Sequence, residues 1–350
     1  MDKFVVMLGV WVAWAVLGGG AVPAAGAAQK LNVFIWSEYL PPEVVKDFER
    51  RHDAEVVLDL FEDTEGMLAK MQGGGSAVYD IVVPPDHAVP VMVKLGLLAE
   101  LRHERIPNLK NLEERFRRLP FDPGNRHTVA YQWGTLGLYY RKEAGKPAPD
   151  TWAAIFDAKR QPGPMVLLDS MRDTVGAALK HLGHGFNTTD LRALRAAREL
   201  LLDAKKRSLA FDGSVGGKNR VLNRSASVAM VYSGEAMRGI TEDPETAYVI
   251  PKEGSEVFVD TLAVPARAPH RDLAEAFINF VLEPEVGARI SNHTRFGSPN
   301  AAARRHLRAS DAADPGIYPP AEVVSKLEYL DDLGAKTRVY DELWSQVKGR

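Results

Sequence analysis

The chain has 350 residues, 45% of them hydrophobic, and a formal net charge of -2. That length is ample for two packed domains, and the near-neutral balance lacks the basic stripe of a nucleic-acid binder. There is no cysteine, which excludes disulfides, thiol catalysis, iron–sulfur clusters, Cys-ligated zinc and lipid attachment through an N-terminal Cys.

Met1-Asp2-Lys3 is a short, weakly basic start, residues 4–22 are almost wholly apolar or Gly, and Ala24-Ala25-Gly26-Ala27-Ala28 is a small-residue cleavage region. This is the pattern of a secretory signal peptide over residues 1–28, with an uncleaved anchor as the alternative. Cleavage would leave a soluble chain exported across the inner membrane to the periplasm. No later run approaches the ~20 apolar residues that a bilayer span needs.

Leu31-Asn32-Val33-Phe34-Ile35-Trp36 is apolar enough for a buried strand. Pro41-Pro42 then signals a helix start, with Val44, Val45 and Phe48 on one apolar face. Trp36, Ser37, Glu38 and Tyr39 therefore fall at the carboxyl end of a strand, just before a helix, where ligands sit in open α/β sheets. Two aromatics, a hydroxyl and a carboxylate suit an organic cation. The plainer alternative makes Trp36 and Tyr39 core residues and Glu38 a solvated charge.

Further strands are expected at 55–60, 80–84, 128–132, 135–140, 165–168, 227–232, 247–250 and 257–264. Helical patterns lie at 42–52, 64–72, 87–97, 151–157, 173–183, 190–206, 215–222 and 234–240, then at 270–283, 284–292, 320–330 and 336–348. Strands alternating with helices imply α/β layers. Asp122-Pro123-Gly124-Asn125 is a turn by composition. The long extended runs 128–140 and 257–264, each flanked by α/β blocks, fit a two-lobed protein whose chain crosses between lobes at a hinge. That places lobe 1 at 29–131 plus 261–303 and lobe 2 at 132–260 plus 304–350.

Catalytic and metal motifs are weak. Gly213-Ser214-Val215-Gly216-Gly217-Lys218-Asn219 has the wrong spacing for a phosphate loop and Asn in place of the magnesium-binding hydroxyl. His181 and His184 lack further ligands in zinc spacing, and no Gly-x-Ser-x-Gly elbow occurs. No enzyme activity, cofactor or metal is expected. The acids and aromatics near strand ends say more. Asp173 follows the strand Val166-Leu167-Leu168, though an N-cap would suit it equally, and Tyr232 and Glu235 follow the strand 227–231. Phe258 and Asp260 are two apart, hence on one face of an extended run. An inward carboxylate is costly unless it is paired; a ligand ammonium or a neighbouring Arg or Lys would serve.

The order of these motifs resembles the polyamine-binding periplasmic proteins of ABC transporters, the spermidine and putrescine receptors. The matching stretches include Ile35-Trp36-Ser37-Glu38-Tyr39-Leu40-Pro41-Pro42, Tyr79-Asp80-Ile81-Val82-Val83-Pro84, Tyr131-Gln132-Trp133-Gly134-Thr135, Gly185-Phe186-Asn187-Thr188-Thr189-Asp190, Val259-Asp260-Thr261-Leu262-Ala263-Val264-Pro265 and Ser298-Pro299-Asn300-Ala301-Ala302. The resemblance implies a type II solute-binding fold with two crossover segments, a cationic amine in the cleft, and delivery by a monomeric receptor to an inner-membrane permease with its ATPase. It implies that Asp260 and Asp173 anchor ammonium groups, that Trp36, Tyr39, Tyr232 and Phe258 wall the stem, that Ser37 and Glu38 lie beside them, and that Glu235 matches an acid of putrescine-type receptors.

Several positions depart from that pattern. Pro85 has no hydroxyl where the family places a serine, and Asp86 and His87 follow it as substitute contacts. Ser170 stands where spermidine receptors carry an acid, Gly213 replaces a polar side chain, Phe296 takes a Tyr position and Leu330 a Gln position. These changes favour a shorter diamine such as putrescine over spermidine, or an amine outside the polyamines. A zwitterionic or anionic metabolite, and a secreted hydrolase, remain as competing readings.

Overall fold

The computed structural model describes residues 29–349; the expected signal peptide lies outside them. The strands are β1 (Gln29–Trp36), β2 (Ala54–Phe61), β3 (Ile81–Val82), β4 (Thr128–Arg141), β5 (Met165–Leu168), β6 (Ser208–Asp212), β7 (Val228–Tyr232), β8 (Thr246–Val249) and β9 (Val257–Ala263). They form a sheet in the order β2-β1-β3-β9-β4-β7-β5-β6, with β8 also paired to β4. The pairs β1–β2, β1–β3, β5–β7 and β5–β6 are parallel, and helices connect them. This is the α/β layering in which helices cover a parallel sheet.

The two halves meet on β4. Its residues Thr128 to Thr135 pair antiparallel with β9, from Ala263 back to Val257. From Leu136 onward it pairs with β7, Leu136 opposite Tyr232, and then with β8. One strand is thus shared between two sheets, and each sheet has its own core. Val33, Ile35, Val44, Phe48, Ile81, Leu262 and Phe277 pack in the first; Leu136, Trp152, Leu167, Val175, Leu194, Met230 and Tyr340 pack in the second. Tyr232 packs against both.

Local sequence explains the elements. Helix Pro42–His52 starts with Pro at its first turn, buries Val44 and Phe48 one turn apart, and stops at Asp53 in the left-handed region. Helix Thr64–Gln72 is capped by Asp63, whose side chain accepts from Gly66 N. Helix Leu191–Arg207 is capped by Asp190, which accepts from Arg192 N and Ala193 N. It buries Ala193, Leu194, Ala197, Leu201 and Ala204, while Leu191 in its first turn is exposed.

Four expectations need correction. The strands expected at 128–132 and 135–140 are one continuous β4. β6 was not anticipated, because it is a half-exposed edge strand without a buried face to pattern it. The expected helix 87–97 is a 3-10 turn, Asp86–Ala88, followed by Val89–Lys94. The expected helix 320–330 is a single turn, Ala321–Val324. Beyond that turn the backbone bonds elsewhere: Glu328 N donates to Ser255 O and Val257 N donates to Glu328 O.

The turn at Asp122 secures the start of β4. The buried Asp122 carboxylate accepts from Thr128 N and Thr128 Oγ1, both at 2.7 Å, and from His127 N at 3.0 Å. Asp122→Ala strands these donors and is expected to cost about 2–4 kcal/mol of unfolding free energy; urea denaturation followed by circular dichroism checks it.

Candidate functional site

A cavity of about 340 Å³ opens between the two cores. The carboxyl ends of the parallel strands supply its walls: Trp36, Ser37 and Tyr39 after β1, Pro85 and His87 after β3, Ser170 and Asp173 after β5, and Tyr232 and Glu235 at the end of β7. The β9 strand and its approach supply Glu256, Phe258 and Asp260. The backbone amides and side chains at such strand ends are the usual ligand-facing groups of α/β folds.

Aromatic rings run across this cavity. Tyr39 lies 5.5 Å from Phe296, Phe296 5.6 Å from Phe258, and Phe258 5.1 Å from Tyr232, measured between ring centroids. Each end of the row holds an acid. Tyr39 OH donates to Asp260 Oδ2 at 2.7 Å, and Tyr232 OH donates to Asp173 Oδ1 at 2.9 Å. Phe296 is fixed by backbone on two sides. A Cβ on Gly134 would come within 2.8 Å of its Cδ1 atom, and one on Gly234 within 2.6 Å of its Cε2 atom.

The two acids differ electrically. Burial pushes the Asp260 carboxyl up to about 8; Asp86 and Glu235 add to the rise, and the Tyr39 hydroxyl and the Trp36 indole oppose it. Burial also raises Asp173, but hydrogen bonding with Glu256, Ser170 and Tyr232 outweighs burial and holds it below the usual carboxylate range. Ser170 Oγ donates to Asp173 Oδ2. Among the described residues, no Lys or Arg forms an ion pair with Asp173, Glu256 or Asp260.

Glu235 is different. It is buried, its Oε1 accepts from Arg238 Nη2 at 3.1 Å and its Oε2 from Ser214 Oγ at 3.2 Å. Arg238 reaches Glu38 Oε2 as well, at 3.0 Å. Glu38 itself does not line the cavity: its side chain is 58% exposed and it sits at φ 57. Asp86 also stands behind the wall, fully buried, accepting from Val259 N at 3.1 Å and His87 N at 2.7 Å. Ser37 does line the cavity, with its Oγ 3.4 Å from Glu62 Oε2. His87 lines it with Nδ1 3.3 Å from Asp86 Oδ1. Leu330 packs in the second core and does not line the cavity.

The structure therefore brings together Trp36, Ser37, Tyr39, His87, Asp173, Tyr232, Glu235, Phe258, Asp260 and Phe296, and leaves Glu38 at the rim and Asp86 behind the wall. Several lining residues escaped the sequence reading, among them Glu62, Asp63, Glu65, Arg172 and Glu256. Glu256 was discoverable: it precedes Phe258 by two, so the alternation that puts Phe258 and Asp260 on one face extends to it. Arg172 was not, because its neighbours Asn187 and Asp331, which accept from its guanidinium at 2.9 and 3.0 Å, are remote in sequence.

An aromatic row with an unpaired acid at each end suits a guest with positive charge. Cations are attracted to ring faces, and carboxylates hold ammonium hydrogens in charge-assisted bonds. The fold and cleft define a two-lobed solute-binding protein. Residues 43–320 match the family described as bacterial extracellular solute-binding protein, and the chain belongs to that family. It is 34% identical to a putrescine-binding periplasmic protein of Pseudomonas aeruginosa over 95% of this chain and 96% of that one. It is 30% identical to the spermidine/putrescine-binding periplasmic protein of Escherichia coli over 91% of each. Among solved structures, the spermidine/putrescine ABC transporter substrate-binding protein of Streptococcus pneumoniae superposes with a TM-score of 0.80 at 28% identity, covering 92% of this chain and 99% of that one.

The electrostatics make one outcome measurable without any ligand. Asp260 should titrate near 8 by carboxyl carbon NMR, and Tyr39→Phe, which removes a bond to the charged form, should move that midpoint upward. Since the folded chain holds this proton more tightly than the unfolded one, Asp260 makes the fold lose stability as pH climbs from the carboxylate range through about 8.

Proposed function

We propose that this protein is the solute-binding subunit of an ABC importer and that its guest is a short cationic amine of the putrescine class. The observation that carries the reading is the aromatic row closed at either end by Asp173 and Asp260, neither of which forms an ion pair with a Lys or Arg among the described residues. One ammonium sits at each acid, and the methylene stem lies along Tyr39, Phe296, Phe258 and Tyr232. The relatives named above support the choice of guest. The protein does no chemistry on it and hands it, in the periplasm, to an inner-membrane permease driven by its ATPase.

Binding works by closure. Residues 29–131 with 261–303 and residues 132–260 with 304–350 act as two bodies, hinged where β4 runs beside β9. Arg238 of the second body reaches Glu38 of the first, and Lys94 of the first reaches Asp332 of the second. A guest that touches both bodies binds the closed arrangement more tightly and shifts the population toward it.

A second reading takes an amine that also bears a carboxylate. It is favoured by Arg172, which lines the cavity with a buried Nε that has no partner. A thermal-shift panel of diamines, amino acids and carboxylates, with mass spectrometry of small molecules carried through purification, separates the two. For the first reading, Asp260→Asn should weaken putrescine binding by about tenfold or more in calorimetry; unchanged affinity would remove Asp260 from the site.

A further inference from the structure

Glu256 stands outside every expectation drawn from the sequence, yet it is among the most constrained groups in the cavity. It is 2% exposed, its Oε2 is buried without a hydrogen-bond partner, and it lines the cavity beside Asp173. Its backbone is pinned by the bridge to Glu328 and by Leu136 N, which donates to Glu256 O at 3.2 Å.

The Glu256 and Asp173 carboxyls are within hydrogen-bond reach of each other. Two carboxylates repel, so such a pair holds together only if one of them carries a proton. The other groups acting on Glu256 decide which. Arg172, on the same helix as Asp173, favours ionisation, whereas Asp86 disfavours it. Tyr232 and Tyr248 also feel the Glu256 charge. Asp173 has the Tyr232 and Ser170 hydroxyls as donors and the nearby His87 to favour its charge; Glu256 has burial and two acids against it. Burial and the two neighbouring acids thus push the Glu256 carboxyl well above the usual carboxylate range, while the hydroxyl donors hold Asp173 below it.

We propose that Glu256 is a ligand-binding acid and that the guest's ammonium group enters the Asp173–Glu256 pair by displacing its shared proton. The inference rests on the amine reading of the cleft and adds to it a third acid and a proton exchange. The step makes and breaks no covalent bond in the guest: the ammonium donates to both carboxylates, and the Glu256 proton leaves to solvent. One positive charge enters this end of the cleft as another leaves, which removes the cost of burying a second carboxylate.

Putrescine calorimetry of the full mature chain in buffers of different ionisation enthalpy tests this. The wild type is expected to release about one proton more per putrescine than Glu256→Gln, and its log affinity should rise with pH more steeply by about one unit per pH unit between pH 6 and 8. Glu256→Gln keeps the size and the hydrogen bond to Asp173, and should lower putrescine affinity about tenfold at pH 8. Should the variant fail to fold, the wild-type count decides against the proton that Asp260, held up to about 8, gives up to its own ammonium: about two protons per putrescine are expected at pH 7, and one or none overturns the proposal. Equal proton counts in the two proteins overturn it as well, with the amine reading intact. No heat with putrescine, cadaverine or agmatine removes the amine reading and this inference together.

Discussion

The antiparallel ladder between β4 and β9 is the constraint on which the rest depends. Gln132 opposite Asp260 and Gly134 opposite Phe258 set the register, and a slip of one residue would turn Asp260 and Phe258 away from the cleft and Val259 into it. The same β4 strand leaves β9 at Thr135 and joins β7 at Leu136. The floor of the cavity and the junction of the two sheets are therefore one piece of backbone. Any relative movement of the cores must be absorbed here, beside the groups that would contact a guest.

The cavity balances opposed costs. It buries Asp173, Glu235, Glu256 and Asp260, yet among the described residues only Glu235 forms an ion pair with an arginine. Hydroxyls from Tyr39, Tyr232 and Ser170 offset part of the desolvation, but a hydroxyl supplies no countercharge. A cleft left in this condition is poorly satisfied by its own residues. It is correspondingly well suited to a cation that brings several donors and displaces water from aromatic faces.

Much of this was legible in the chain. The strand ending at Trp36 followed by Pro41-Pro42 located one wall, and the two-residue spacing of Phe258 and Asp260 located the floor, because residues two apart in any strand share a face. Helices with strong ends, Pro42–His52 and Thr64–Gln72, matched their expected spans to the residue. What stayed hidden depended on partners distant in sequence. Glu38 looked like a cleft acid until Arg238 claimed it, 200 positions away. Asp86 looked like a substitute contact, but the β9 amide of Val259 takes its carboxylate. β6 lacked a buried face, and the stretch after Val324 lost its helix to backbone bonds with 255–257.

Phe296 has a consequence for how such a receptor could change its preferences. The ring is wedged between Gly134 and Gly234, where added carbons would collide with it, so at that end the width of the crevice is dictated by main chain. Natural variation or a designer can reshape the opposite end, around Ser170, by exchanging side chains alone. Moving the Phe296 ring itself would require shifting Gly134 of β4, the strand shared by both sheets, or Gly234 at the start of the helix Ser233–Glu242. One half of the crevice is thus free to diversify while the other is inherited nearly as a casting.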